Sequence, residues 1–364
     1  MKTKYYSLKN ILTRNALYNI IIGERSNGKT YAALEYGLKT YFETGGEIAI
    51  IRRWVDDFRG KRGATMFAGL VANGLIEKLS RGEWTGVYYW GGRWFLCRYD
   101  EKNNMEKAEQ PFAYAFALTA GEHDKSSSYP KITTVIFDEF LTRGYYLPDE
   151  FITYMNVLST IIRDRTDIKI FMLGNTVNQY APYFDEMGLT NVKNMKQGDI
   201  DLYSYGDSGL TVAVEFSDSP NKKPSNVYFA FDNPRLQMIT GVGNVWEMDI
   251  HPHCPCKYRP CDILYTYFIL FDGTVLQCEI ISHDNAFFTF IHEKTTPLQN
   301  RTTDLIYTPD YNISPNYFRK ITKPVNSLQR KILEQFRNET VYYQNNSIGE
   351  VVRNYLNWCN TSRT

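Results

Sequence analysis

The chain has 364 residues, too many for one ordinary domain and enough for two or three. Its 43% apolar and 22% charged residues suit a globular protein with a sizeable core, and no run of about 18 apolar residues is present to cross a bilayer. The basic start MKTKYYSLKN leads into no apolar stretch and cleavage site, so no secretory leader is expected, and six scattered cysteines suit a reducing cytoplasm better than a disulfide framework. The net charge of +1 conceals a basic surplus in residues 1–62, a surface suited to an anionic partner.

In chain order, residues 20–22 (Ile-Ile-Ile) read as a short buried strand, and Tyr31, Leu34, Leu38 and Tyr41 give 30–41 the spacing of a helix. A second strand is expected at 47–51, and an aromatic β-hairpin within 83–120 turns at Gly91-Gly92. A third strand follows at 132–137, a helix at 150–163 and a fourth strand at 168–173. This alternation predicts an α/β fold with a mainly parallel sheet covered by helices. Residues 186–250 turn rich in Gly, Asp, Asn, Ser and Pro, with strands expected at 211–216 and 227–231. The reading is a first domain over 1–205, a connector over 206–250 and a second domain over 251–364. In the last, 263–271 and 274–281 form a hairpin through Asp272-Gly273, a strand follows at 287–291, and amphipathic helices close the chain at 326–338 and 347–358.

Gly23-Glu24-Arg25-Ser26-Asn27-Gly28-Lys29-Thr30 fits G-x-x-x-x-G-K-[ST] between a predicted strand and a predicted helix. The glycines let the backbone fold tightly, so that successive N–H groups and the helix N-terminus face phosphate oxygens. Lys29 is expected to bridge the β- and γ-phosphates of ATP, and the Thr30 hydroxyl to hold Mg²⁺. The strand 132–137 runs into Asp138-Glu139, with Asp138 expected in the Mg²⁺ shell and Glu139 as the base that polarises the attacking water. An adjacent acidic pair favours an ATPase over a slow switch GTPase, and no Asn-Lys-x-Asp guanine motif is present. Asn175, at the tip of the fourth strand, either senses the γ-phosphate or orients Glu139, or is a plain polar turn. Arg163 and Arg165 are candidates for an arginine delivered to a neighbouring subunit's phosphates, or else cap a helix end, and Arg143 is a weaker candidate.

Arg25 in the phosphate loop, Ile50-Ile51-Arg52-Arg53 at a strand end and Phe137-Asp138-Glu139 together resemble viral genome-packaging ATPases. The runs 18–23, 28–31 and 171–175 are most similar to the compact DNA-packaging ATPases of phi29-like tailed phages. The resemblance covers residues 10–185. It implies a P-loop NTPase of the additional-strand, catalytic-glutamate class that drives double-stranded DNA into a procapsid. It further implies a homo-pentameric ring on the phage portal in the host cytoplasm, which a structural packaging RNA joins in some phages. On that match Lys29 and Thr30 hold phosphate and Mg²⁺, Asp138 and Glu139 are the acidic pair, and Arg163 is the trans-acting arginine. It also suggests that the C-terminal α+β domain is a vestigial, ribonuclease-H-like nuclease. Asp262, Asp272 and Glu279 are its available carboxylates, yet alternation puts few of them on one face, so a non-cleaving domain that binds nucleic acid or a portal partner is expected. A P-loop helicase or other DNA translocase, a cleaving terminase and a nucleotide-binding scaffold with little turnover are the competing readings.

Two further clusters stand out. His251, His253, Cys254, Cys256 and Cys261 gather five potential zinc ligands, although their spacing is not that of a usual knuckle and a polar turn with half-buried thiols is the alternative. Arg52, Arg53, Arg59, Lys61 and Arg62 form a basic run suited to a phosphate backbone or to a neighbour's ATP. Lys320, Lys323, Arg330, Lys331 and Arg337 form a sparser basic face.

Overall fold

The computed structural model describes residues 5–120, 128–163, 165–218, 249–284, 286–299 and 302–361. Among these, two compact units form. One comprises the described residues up to 143 and 149–218, the other 144–148 and 249–361.

The first unit is built on one sheet. Its strands are β1 (Tyr18–Gly23), β2 (Glu47–Arg52), β3 (Gly86–Trp90), β4 (Arg93–Tyr99), β5 (Met105–Lys107), β6 (Ala113–Ala117), β7 (Ile132–Asp138), β8 (Lys169–Asn175), β9 (Ile200–Tyr205) and β10 (Leu210–Phe216). They lie in the order β3-β4-β6-β2-β7-β8-β1-β10-β9, with β5 on β4. From β6 to β10 the neighbours pair in parallel, while β3, β4, β5 and β9 are antiparallel additions at the two margins. The central strands are continuous apolar runs because both faces are covered. Ile20, Ile21, Ile22, Ile136, Phe137, Phe171 and Met172 are fully enclosed, each such side chain contributing about 1.5–3 kcal/mol by leaving water. The predicted hairpin turns at Gly91-Gly92, and Trp94 of β4 is packed edge-on against Phe58 and Phe67.

Residues 206–218 are not connector. β10, expected inside it, pairs in parallel with β1 and extends the first sheet. The strand expected at 227–231 lies outside the described residues.

In the second unit, β11 (Ile263–Phe271), β12 (Thr274–His283) and β13 (Ala286–Glu293) form an antiparallel meander. The short strands β14 (Ile306–Tyr307), β15 (Tyr317–Phe318) and β16 (Val341–Tyr343) complete the order β15-β14-β11-β12-β13-β16. Tyr267, Ile269, Cys278 and Ile291 are buried, as are Ile332 of the helix Ser327–Arg337 and Val352 and Tyr355 of the helix Asn346–Thr361. Asn326 caps the first of these helices by accepting from the Gln329 N–H at 2.9 Å. No helix among the described residues is long and apolar enough to cross a membrane.

Candidate nucleotide site

Parallel strands end at a common edge, and register decides which residues meet there. Gly23 of β1 stands beside Asn175 of β8, Leu173 of β8 beside Asp138 of β7, and Phe137 beside Ile51 of β2. The residues that follow, Glu24 onward, Glu139 and Arg52, are thereby brought to one cleft. A cavity of ≈ 270 Å³ opens there, lined by Arg25, Ser26, Lys29, Thr30, Asp138, Glu139, Leu173, Gly174 and Asn175.

The phosphate loop runs from β1 into the helix Lys29–Thr44. Gly28 adopts φ +99°, a left-handed conformation that favours glycine, and lets the chain turn directly into the first helical turn. Lys29 is only 5% exposed. Its ammonium donates to the carbonyls of Glu24 (2.7 Å) and Gly23 (3.2 Å), to Asn27 Oδ1 (3.2 Å) and to Asn175 Oδ1 (3.3 Å). The Thr30 hydroxyl donates to Asp138 Oδ1 at 2.9 Å.

The acidic pair has a resident counter-charge. Arg52, the last residue of β2, donates to Asp138 Oδ2 and, at 3.0 Å, to Glu139 Oε2. Burial opposes the charge on Arg52, but the two carboxylates outweigh it and hold its pKa above the ordinary arginine value. Glu139 sits at φ +60°, so the chain bends sharply after β7 and turns this side chain out to the cleft while Asp138 stays buried. Arg53 points elsewhere. It donates to both oxygens of the enclosed Glu150 at 2.8 Å and to the Phe140 carbonyl at 2.8 Å, and Tyr183 completes the Glu150 shell at 2.8 Å.

The structure thus brings together Gly23, Glu24, Arg25, Ser26, Asn27, Gly28, Lys29, Thr30, Asp138, Glu139 and Asn175. It does not bring Arg163 or Arg165 to the same cleft. Both precede β8, at the opposite edge of the sheet. Arg163 is exposed at the C-terminus of the helix Glu150–Ile162. The Arg165 guanidinium donates to the carbonyls of Tyr129, Pro130, Ile132, Ile161 and Ile162 at 2.7–3.3 Å, an internal stitch. The basic run is likewise divided. Arg52 and Arg53 are spent on carboxylates of this chain and Arg59 pairs with Asp56 at 2.7 Å, so no continuous five-residue phosphate track forms. In the second basic group Lys320 is buried over the Trp358 ring, while Lys323, Arg330, Lys331 and Arg337 are exposed. Sequence reasoning missed the bond from Arg52 to the acidic pair. Its available signal was a charged residue ending an otherwise apolar strand.

The five zinc candidates are not drawn together. His251 Nε2 lies 3.1 Å from Glu350, His253 Nε2 lies 3.4 Å from Asn346, Cys254 donates to the Cys256 carbonyl, and Cys261 sits exposed beside Asp262. Among the described residues no three His, Cys, Asp or Glu side chains are grouped to hold a metal. The three candidate nuclease carboxylates are also apart. Asp262 is bonded to the Arg259 N–H and to His283, and Asp272 occupies the β11–β12 turn. Glu279 lies five residues into β12, roughly 17 Å along the strand from that turn. It accepts from Tyr258 and Gln277 at 2.6 Å, with His292 at 3.5 Å.

A family model described as Podovirus DNA encapsidation protein (Gp16) matches residues 102–223. The DNA packaging protein of Bacillus phage B103 is 28% identical over 215 residues, covering 58% of this chain and 60% of that protein. The DNA packaging protein of Bacillus phage phi29 is 25% identical over 186 residues, 50% of each. The chain therefore spans about half to three-fifths of the length of these curated relatives. In fold, a structure of the bacteriophage Phi-29 viral genome packaging motor assembly superposes with TM-score 0.56 at 20% identity, covering 96% of both chains. The Phi-28 gp11 DNA packaging motor superposes with TM-score 0.55 at 15% identity, covering 100% of this chain and 99% of that one. The likeness first visible in residues 23–30, 50–53 and 137–139 holds in sequence and in fold: this chain is similar to the DNA-packaging proteins of phi29-like phages.

Proposed function

We propose that this chain binds ATP with Mg²⁺ in the cleft at the carboxyl edge of the first sheet and hydrolyses it to drive double-stranded DNA into a viral shell. The observation that carries this reading is the convergence of Lys29, Thr30, Asp138, Glu139 and Asn175 from the ends of two parallel strands and one helix N-terminus. The donor set fits the absent groups. A buried ammonium ringed by neutral oxygens suits a polyphosphate, and a hydroxyl bonded to a carboxylate is the pair that Mg²⁺ uses in such sites. When bound there, Mg²⁺ would supply neutralisation of the phosphate charge. Thr30 and Asp138 would hold it. Lys29 would leave its carbonyl shell for phosphate oxygens, and the loop N–H groups would line the same oxygens. Glu139 would orient the attacking water and accept its proton once Arg52 releases its carboxylate, and Asn175 would report the state of the cleft to Lys29.

The position of β8 between β1 and β7 supports the additional-strand, catalytic-glutamate class. Of the two candidate trans-acting arginines, the exposed Arg163 suits delivery to a neighbour better than the internally bonded Arg165. The proposal extends to a homo-oligomeric ring, a pentamer as the family resemblance implies, at the procapsid portal, with or without a packaging RNA. The dispersal of Asp262, Asp272 and Glu279 favours a non-cleaving second unit over an active nuclease.

The test is ATP turnover by the purified protein with and without double-stranded DNA. Turnover raised by DNA supports a DNA-dependent motor. A genuine ATPase that ignores DNA even with portal present would overturn the packaging reading, and no nucleotide binding at all would overturn the site.

A further inference from the structure

The end of β10 reaches the phosphate loop. Ser217, which follows that strand and is fully enclosed, donates its hydroxyl proton to the Ile22 carbonyl at 2.9 Å, and its N–H also reaches that carbonyl at 2.8 Å. The Ser217 oxygen accepts from Asn27 Nδ2 at 2.8 Å. Asn27, 2% exposed, turns its Oδ1 to the Lys29 N–H at 3.3 Å and to the Lys29 ammonium at 3.2 Å.

Donor and acceptor counting fixes the direction of this chain of bonds. A carbonyl only accepts, so the Ser217 hydroxyl must donate to Ile22 and present a lone pair to Asn27. Asn27 must then offer its NH₂ to Ser217 and its carbonyl oxygen to Lys29. With the serine oxygen gone, the Asn27 NH₂ loses its buried acceptor and only the two longer bonds from Lys29 hold the amide in that orientation. Rotated by 180°, it would set an NH₂ group against an ammonium. The approach is also tight: a Cβ on Gly23 would fall 2.0 Å from Ser217 Oγ, so glycine at the start of the loop is what admits the serine.

We propose that Ser217 is a positioning residue for the phosphate loop, fixing the Asn27 amide so that Lys29 is held ready for a nucleoside diphosphate or triphosphate. The inference rests on the nucleotide reading of the cleft. It adds a residue some 190 positions downstream of the loop, just after β10, and it gives loop position 27 a defined task.

The experiment compares ADP affinity, by equilibrium titration, with the melting midpoint of nucleotide-free protein for wild type, Ser217→Ala, Asn27→Leu and the double variant. Single substitutions strand a buried polar group and lower both readouts. The double variant removes both partners, so its melting midpoint returns near wild type. Its ADP affinity is expected to stay about tenfold weaker, because Lys29 still lacks the Asn27 oxygen. A double variant that melts and binds ADP like wild type overturns the proposal and makes the pair a packing element. Should the double variant fail to fold, Ser217→Cys, nearly isosteric but a poor acceptor, is the second probe. Weaker ADP binding at an unchanged melting midpoint supports positioning, and unchanged binding overturns it. Wild-type protein that binds no ADP removes the nucleotide reading itself, an outcome distinct from either.

Discussion

The two sheets handle their carboxylates in opposite ways. In the first, Asp138 and Glu139 end a parallel strand, and every parallel neighbour ends at the same edge, so an ammonium, a hydroxyl, a guanidinium and two carboxylates meet. In the second, the antiparallel meander sends alternate strands in opposite directions, so Asp262, Asp272 and Glu279 fall at different heights, and Asp262 and Glu279 each have private partners. Chemistry that needs convergent groups is easily built on the first arrangement and poorly on the second. Acidic residues alone do not make a site; the direction of the strands carrying them decides.

The sharpest way to break the contrast is Glu139→Gln. Loss of the proposed base is expected to lower ATP turnover about 10²–10⁴-fold, read by phosphate release, while ADP affinity stays near wild type. Equal turnover in the variant would move the catalytic role off this pair. Next in size is Arg53→Met, which takes the guanidinium away from Glu150, whose side chain is fully enclosed. Chemical denaturation should show a loss of about 3–5 kcal/mol, against a much smaller loss for a substitution on the cleft surface.

A pH experiment sharpens the other side of the comparison. Burial pushes the Glu350 carboxyl up, but bonds from His251, the Asp249 N–H and Arg353 overcome it and bring the pKa from 4.5 to about 2. A depressed acid stabilises the fold fully above the unfolded value of 4.5 and loses that contribution as the pH falls through about 2. The wild-type melting midpoint should therefore fall more steeply than that of Glu350→Gln between pH 4.5 and about 2. Parallel curves would count against this ion pair as the cause. The smallest effect is expected from Glu279→Gln. Losing part of one hydrogen-bond set costs about 1 kcal/mol in denaturation, with ATP turnover within about twofold of wild type. A large fall in turnover would mean that the second unit takes part in the chemistry.

Much of this was written locally in the sequence. The phosphate loop, the acidic strand end and the Asp272-Gly273 hairpin depend on neighbours a few residues apart, and all three formed where periodicity and turn chemistry put them. Pairings between distant strands were not legible. Strand β10 was visible as residues 211–216, yet its Gly- and Asp-rich surroundings read as connector, because the partner that claims it, β1, lies some 190 residues earlier. Arg52 looked like the start of a basic surface run, since nothing local reveals that β2 and β7 are neighbours. Arg165 looked like a free cation for the same reason: five carbonyls from two segments converge on it only after folding.

That fivefold bonding has a mechanical consequence. Arg165 fastens the end of the helix Glu150–Ile162, where Arg163 is exposed, to the turn and first residue of β7. Six residues after Ile132 the same strand delivers Asp138, roughly 20 Å away at 3.3 Å per residue. A displacement of the Arg163 corner would therefore load the first residue of the strand whose far end carries Asp138, so the two ends of β7 tie that corner to the candidate nucleotide site.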